Sequence, residues 1–359
     1  MKKLIALLLA MAMVFALAAC GSKTEPAAPA TPTTQGSEGE AAAANLPSYT
    51  IIFATGSSAD LENPQNIGTF KFKELVEERS EGRITVDCQI ASALGNVQEI
   101  MEQVQMGAIQ MCDVENSALG GFVAKCKVWD MPYLFTSLDE VHAIQASDIG
   151  KGIQDAFLEI GIKHLAFNDG GFRNFTNAVR PIKTVADFKG LKLRVMSGDA
   201  YAKMVECLGA SAQAIAFADL YDALSNGTVD GQENPLDLIY AQRYYEVQDY
   251  LSISNHLYYP RQHMANLAWF ESLDPADQEL IQQAAIEACA YQNEYYVEYS
   301  SKMLQALKDE GMQVVEDFDS AAAAQACTSV WTDFYGEIGG GDAALGEEIV
   351  NRISGGEFR

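Results

Sequence analysis

The chain has 359 residues, 48% apolar, 20% charged and 9% aromatic, which excludes a collagen-like, mucin-like or wholly disordered polymer. Its 24 Lys plus Arg face 49 Asp plus Glu, a formal charge of −25. Such a surface repels DNA and RNA, whose binding rests on basic side chains neutralising phosphates, so no nucleic-acid partner is expected. The length suggests about two domains.

The first elements name a compartment. Met1-Lys2-Lys3 is basic, residues 4–17 are apolar and uncharged, and Leu17-Ala18-Ala19-Cys20 follows. A basic start, an apolar run and small residues before a cut describe a signal peptide over 1–19. A membrane-spanning helix needs about 20 apolar residues, more than this run supplies before a polar tail. Leu-Ala-Ala-Cys also resembles the bacterial lipobox, which implies a lipidated Cys20 as the first mature residue, held at a membrane surface by its acyl chains. Removing 1–19 deletes two lysines and no acids, so the charge becomes −27. Residues 20–45 then read as the lipidated Cys and a flexible linker, because no large apolar residue occurs there. A tether of this length reaches about 28 Å on average, and the folded body should begin near Leu46-Pro47.

In the body, strands are expected at 49–55, 83–90, 108–114, 164–168, 191–196, 212–217 and 250–254, from short apolar or alternating runs. Helical periodicity appears at 70–80 and 96–106, each ended by Gly. Alternating strands and helices predict an α/β protein with a substantially parallel sheet. From Asp274-Pro275, an N-cap followed by Pro at the first helical position, no Gly or Pro recurs until Gly311. That span is one very long helix or two with an unmarked break.

Chemistry is harder to find. There is no GxSxG, HExxH or phosphate loop, so no enzyme is indicated and no cofactor or metal is expected. His142, His164, His256 and His263 are scattered, and His263, in an apolar run, reads as a hydrogen-bonded core group. Cys88, Cys112, Cys126, Cys207, Cys289 and Cys327 show no CxxC spacing; an even count outside the cytoplasm permits disulfides, and buried free thiols are the preferred reading.

One ordered series of motifs carries more. Gly171-Phe172-Arg173-Asn174-Phe175-Thr176-Asn177 is followed by Arg180-Pro181-Ile182 and Asp187-Phe188-Lys189-Gly190-Leu191-Lys192-Leu193-Arg194-Val195. Ala216-Phe217-Ala218-Asp219-Leu220-Tyr221 and Val229-Asp230-Gly231-Gln232-Glu233-Asn234-Pro235 come next. Upstream stand Ala93-Leu94-Gly95 with Glu99, and Met131-Pro132-Tyr133-Leu134-Phe135. Across about 49–335 the chain resembles the DctP-type substrate-binding proteins of TRAP transporters, the tripartite ATP-independent importers of organic acids.

The resemblance implies a two-lobed, periplasmic-binding-protein-like clamshell with hinge strands and a long helix spanning both lobes. It places lobe I at 46–170 plus 261–298 and lobe II at 171–260 plus 299–359. Alone, Leu191, Leu193 and Val195 share one strand face and Lys192 and Arg194 the other, which reads as a solvated face. The resemblance instead implies that Arg194 meets a substrate carboxylate, with Arg173 as a second carboxylate or hydroxyl contact. It further implies an Asn234 amide on the ligand, Phe217 against its carbon skeleton, and contacts from Glu115 and the Gly56-Ser57-Ser58 loop, Ser57 included. Glu115 would accept from hydroxyl or amino groups and repel a second carboxylate, which favours sugar acids over dicarboxylates slightly. The implied partners are a small carboxylate ligand, the integral-membrane TRAP subunits, and the membrane through the lipid anchor. A sensor signalling to a membrane receptor, or an extracytoplasmic enzyme on the same frame, are the alternatives.

Overall fold

The computed structural model describes residues 46–359; the leader at 1–19, Cys20 and the linker to residue 45 lie outside the described residues. Strand β1 (Tyr49–Thr55) turns Ile51 and Phe53 into the core. Helix α1 (Pro64–Arg79) starts on Asn63, whose side chain accepts from the Gln65 N–H, with Pro64 at the first position. It begins at residue 64 rather than 70 because its first turns bury polar residues (Gln65, Asn66, Thr69), which hides the apolar period. Strand β2 (Ile84–Gln89) pairs in parallel with β1. Helix α2 (Val97–Gln105) opens on a reciprocal capping box between Asn96 and Glu99, and β3 (Met111–Glu115) joins β1 in parallel.

After α3 (Leu138–Gln145) and α4 (Asp148–Leu158), β4 (Ile162–Asn177) crosses the molecule. Then come β5 (Lys192–Val195), α5 (Asp199–Cys207), β6 (Ser211–Ala214), α6 (Leu220–Ser225), β7 (Gly231–Asn234) and α7 (Leu236–Ala241). The long strand β8 (Tyr250–Asn266), α8 (Leu267–Ser272), α9 (Pro275–Asp309), β9 (Gln313–Val315), α10 (Ser320–Ile338) and α11 (Ala343–Ser354) complete the chain.

The strand order is β2-β1-β3-β8-β4-β7-β5-β6, with β9 beside β8. The flanks are parallel, as expected, but the middle is not: β8 runs antiparallel to β3 and β4, and β4 antiparallel to β7. The sequence shows only fragments of β4 and β8, which are 16 and 17 residues long. Both are buried on both faces over most of their length, so the period-2 alternation that would mark them is missing.

The architecture is a two-lobed α/β clamshell in which β4 and β8 join a β2-β1-β3 flank to a β7-β5-β6 flank. Helix α9 is one unbroken helix of 35 residues, about 52 Å long. Its Ile281, Ala284, Ala285 and Ala288 pack with Phe53, Phe72 and Val76, whereas Leu307 packs with Leu220, Leu224 and Tyr244. It therefore serves both flanks. Among the described residues no helix is long and apolar enough to cross a membrane.

The β4/β8 ladder shifts register between Asp169 and Phe172. Gly171 sits there with φ +80°, and a Cβ on it would lie 1.5 Å from the Tyr296 Oη on α9. The Gly171→Ala variant combines backbone strain with overpacking and should lose about 2–4 kcal/mol in urea unfolding. An unchanged midpoint would show that this crossing is not tightly packed.

Candidate functional site

A cavity of about 490 Å³ opens beyond the carboxyl ends of β3, β5 and β7, where the parallel strands of each flank stop. Ligands of open α/β sheets are bound at such edges. Gly56, Gln65, Asn96, Glu115 and Ser117 line it from the chain before β4. Arg194, Phe217, Asn234 and Tyr259 line it from the chain after β4.

Three buried arginines surround this space, in different electrostatic states. Arg173 on β4 is fully buried; its Nη2 donates to Glu233 Oε1 at 3.0 Å and Asn234 Oδ1 at 2.9 Å, and its Nε also donates to Glu233. Its Cζ lies 4.6 Å from the centre of the Tyr259 ring, a cation–π contact. Burial alone would raise the Glu233 carboxyl; Arg173 and His256 outweigh it and hold it well below the usual carboxylate range. Arg261 on β8 is likewise buried, donating through Nε to Asp113 Oδ1 at 3.0 Å and through Nη2 to the Asp113 carbonyl at 2.9 Å and Thr55 Oγ1 at 3.0 Å. Its Nη1 is 3.6 Å from Glu115 Oε2.

Arg194 differs from both. It is 2% exposed, its Nε donates to the Ile215 carbonyl at 2.9 Å, and its Nη1 finds no partner among the described residues. Burial pulls its pKa down; Glu233 opposes this from a distance, but no carboxylate among the described residues pairs with it. The solvated-face reading of Lys192 and Arg194 is therefore corrected for Arg194: the strand face is covered by the chain after β6, which sequence alternation cannot register.

Of the residues singled out in the sequence, the structure brings Arg194, Asn234, Phe217 and Glu115 to the cavity wall. Arg173 stands behind Asn234 and Tyr259, with its Nη1 unpartnered among the described residues. Ser57 is buried with its Oγ bonded to Asn66 Oδ1, while the neighbouring Gly56 reaches the wall. His263 is buried, but neither ring nitrogen makes a hydrogen bond among the described residues; Nε2 is 3.5 Å from Asp113 Oδ2. Its ring packs edge-on against Phe53 and Phe72 instead, which corrects the hydrogen-bonded reading. The six described cysteines are all free, with Cys88 and Cys207 only partly buried.

Sequence reasoning missed Gln65, Tyr259 and Arg261. Arg261 left a faint signal, a lone cation in the otherwise uncharged strand segment 257–267. Gln65 left none, being one polar residue in a polar first turn. Among the described residues no group of three or more His, Cys, Asp or Glu is placed to hold a metal ion.

A cavity at the strand ends of a clamshell, with a buried arginine turned to it, defines a solute-binding protein. The chain belongs to the bacterial extracellular solute-binding proteins of family 7, whose model matches residues 55–337. It is 30% identical over 280 residues to the 2,3-diketo-L-gulonate-binding periplasmic protein YiaO of Escherichia coli, covering 78% of this chain and 85% of that one. It is 34% identical over 252 residues to the C4-dicarboxylate-binding periplasmic protein DctP of Rhodobacter capsulatus, covering 70% and 75%. The crystal structure of the sugar acid binding protein DctPAm from Advenella mimigardefordensis, in complex with galactonate, superposes with a TM-score of 0.81 at 28% identity. That match covers 87% of this chain and 99% of the other.

The Arg173–Glu233 pair generates a stability prediction. Glu233→Ala leaves a fully buried guanidinium uncompensated and should cost about 3–5 kcal/mol in urea unfolding. Because the folded carboxyl is depressed, its contribution is complete above the unfolded Glu value and is lost as pH falls towards the folded value. The variant should therefore lose less stability than the wild type on acidification. An equally steep acid limb would count against the pair.

Proposed function

We propose that this protein is the extracytoplasmic solute-binding component of a TRAP-type importer, capturing a small organic acid through an Arg194–carboxylate salt bridge and closing around it. The observation that carries the reading is the 2% exposure of Arg194 with Nη1 unpartnered among the described residues. A buried, uncompensated cation is costly, and an incoming carboxylate removes that cost while accepting two parallel N–H bonds. Hydrogen bonds to charged groups contribute about 1.5–3 kcal/mol each. YiaO, DctP and DctPAm, whose names and ligands are those of acid-binding proteins, support the same chemistry.

In this reading Asn234 offers an amide that donates and accepts, Phe217 covers the carbon skeleton, and Glu115 accepts from ligand hydroxyls. Arg173 holds Asn234 and adds positive potential behind it, and Ser57 braces the loop that carries Gly56 to the wall. The moving bodies are lobe I at 46–170 plus 261–298 and lobe II at 171–260 plus 299–359, turning about β4 and β8. Ligand binds the closed arrangement more strongly than the open one, and that differential shifts the population toward closure. The closed form then delivers the acid to the integral-membrane subunits. The leader and lipobox support an extracytoplasmic body held at the membrane through Cys20.

The reading is tested by thermal unfolding of ligand-stripped protein against a panel of organic acids, neutral sugars and amino acids. A carboxylate at about 100 times its Kd should add about 2.7 kcal/mol. Arg194→Met should abolish that shift while leaving the unliganded protein as stable as the wild type or more so, since an uncompensated buried charge is gone. A retained shift would overturn carboxylate capture by Arg194. For the anchor, Cys20→Ser should move the protein from the membrane fraction to the soluble one and abolish fatty-acid labelling; persistent labelling would locate the lipid elsewhere.

A further inference from the structure

Two buried acids, Asp130 and Asp237, stand outside the cavity wall, and each is bonded across the gap between the two flanks. Asp130 follows β3 in the chain and is 3% exposed. Its Oδ1 accepts from Asn116 Nδ2 at 2.9 Å on its own side and from Tyr201 Oη at 3.1 Å on α5, which follows β5 on the other flank. The flanks meet beside this bond: a Cβ on Gly198, the residue before α5, would lie 2.9 Å from the Ser117 carbonyl oxygen. Asp237, in α7 after β7, is fully buried. Its Oδ2 accepts at 3.3 Å from Nδ2 of Asn63, which caps α1 beside β1, and its Oδ1 has no partner among the described residues.

Neither acid forms an ion pair among the described residues. The charged and titratable groups facing Asp130 are Cys126 and Lys127 beside it and Asp199 and Tyr201 on α5. Lys127 is itself drawn to Asp199 at 3.0 Å and to Glu337. Those facing Asp237 are Arg173, already bonded to Glu233, and Tyr296 and Tyr299 on α9. Burial pushes the Asp130 carboxyl up to about 7 against the hydrogen bonds from Asn116 and Tyr201, and pushes the Asp237 carboxyl up to about 6. Parting the flanks would admit water to both and return them toward the ordinary Asp value of about 3.9. The closed arrangement therefore holds more protons than the open one. An acid raised on closure favours closure below its raised value and opposes it above, where an ionised carboxylate must be stripped of water.

Resting on the closure reading above, we propose that Asp130 and Asp237 form a proton-dependent latch across the cleft, protonated as the flanks close and ionised as they part. Capture of an organic acid is then coupled to proton uptake by two residues that do not line its cavity. The neutral carboxyl keeps an acceptor oxygen for Tyr201 or Asn63 and loses the charge that burial penalises. Proton uptake adds to the differential that the bound acid supplies to closure, so capture strengthens in mildly acidic surroundings and release is favoured as pH rises. About one proton should be taken up per acid bound near pH 6.5, and about a tenth of one near pH 8.

The experiment has two arms on protein freed of ligand by unfolding and refolding. Titration calorimetry with galactonate, glucuronate and succinate, in buffers of different ionisation enthalpy, counts the protons taken up. Pulsed spin-label distances in the unliganded protein report the flanks, between Glu102→Cys on α2 and Asp222→Cys on α6, both exposed, in a Cys88→Ser, Cys207→Ser background. From pH 6 to pH 8 the tightest of the three acids should bind about tenfold or more weaker, and the closed-to-open ratio of unliganded protein should fall by a similar factor. Asp130→Asn and Asp237→Asn keep the shape of the neutral acid with no proton to lose. Together they should make binding at pH 8 as tight as wild-type binding at pH 6 and abolish proton uptake; acids that only prop the fold would weaken binding at both. Melting curves establish that the variants fold, and each single variant should remove part of the uptake. The latch is overturned if wild-type affinity and flank distance ignore pH, or if their pH dependence survives in the double variant. Should none of the three acids bind, the flank distance decides alone. Arg194→Met separates the two readings: it should abolish binding and leave the pH response of the unliganded flanks in place. Binding that survives it overturns the capture, not the latch.

Discussion

The site depends on how three arginines are kept out of water. Two sit on the long central strands, and each is neutralised by an acid on the next strand out: Arg173 on β4 by Glu233 on β7, and Arg261 on β8 by Asp113 on β3. The third, Arg194 on β5, forms no ion pair among the described residues, with Glu233 acting on it only at a distance. Desolvating a guanidinium is tolerable when a carboxylate and several hydrogen bonds accompany it and costly when they do not. Because Arg173 and Arg261 are each matched by an acid, the imbalance is confined to one position at the cavity wall. A binding site for an anion is, in these terms, a place where the protein withholds its own counter-charge.

The long strands make that arrangement possible. Their antiparallel ladder holds β3 on one side and β7 on the other, which sets each flanking acid diagonally across from its arginine, two residues along the ladder: Glu233 is the register partner of Phe175 and Asp113 of His263, while Glu115 and Arg261 are direct register partners across β3 and β8. A register slip of one residue would turn these side chains to the opposite face. The irregularities in the ladder, with Gly171 packed under Tyr296, bend the strands while α9 ties both flanks together along its length. Rigid flanks on a bent, bulged pair of strands are suited to hinge motion about those strands.

Much of this was legible in the sequence where local chemistry decides local structure. The capping box at Asn96 and Glu99 and the Asp274-Pro275 start of α9 are short-range devices. The flank strands β1, β2, β3, β5 and β6 were found within a few residues because each is a short, bounded run; β7, four residues of Gly-Gln-Glu-Asn without an apolar side chain, was not. The lengths of β4 and β8 were not, since burial on both faces erases the alternation. The antiparallel centre was missed for a related reason: strand direction depends on a partner distant in sequence.

The sequence by itself determined the α/β layering and the family and supplied the candidate anion-binding residues, because these are written in residue types and motifs at fixed local spacings. Which arginine is left without a counter-charge was decided only by the tertiary structure. Arg173, Arg194 and Arg261 are chemically identical side chains in apolar strands. Their different states come from Glu233, which is 60 residues from Arg173, and Asp113, which is 148 from Arg261. No local pattern carries that information, and the same holds for Gln65, which reaches the cavity wall only once α1 is packed beside it. Electrostatic energy in a buried site depends on the charges and dielectric within a few ångströms, and the fold alone chooses those neighbours.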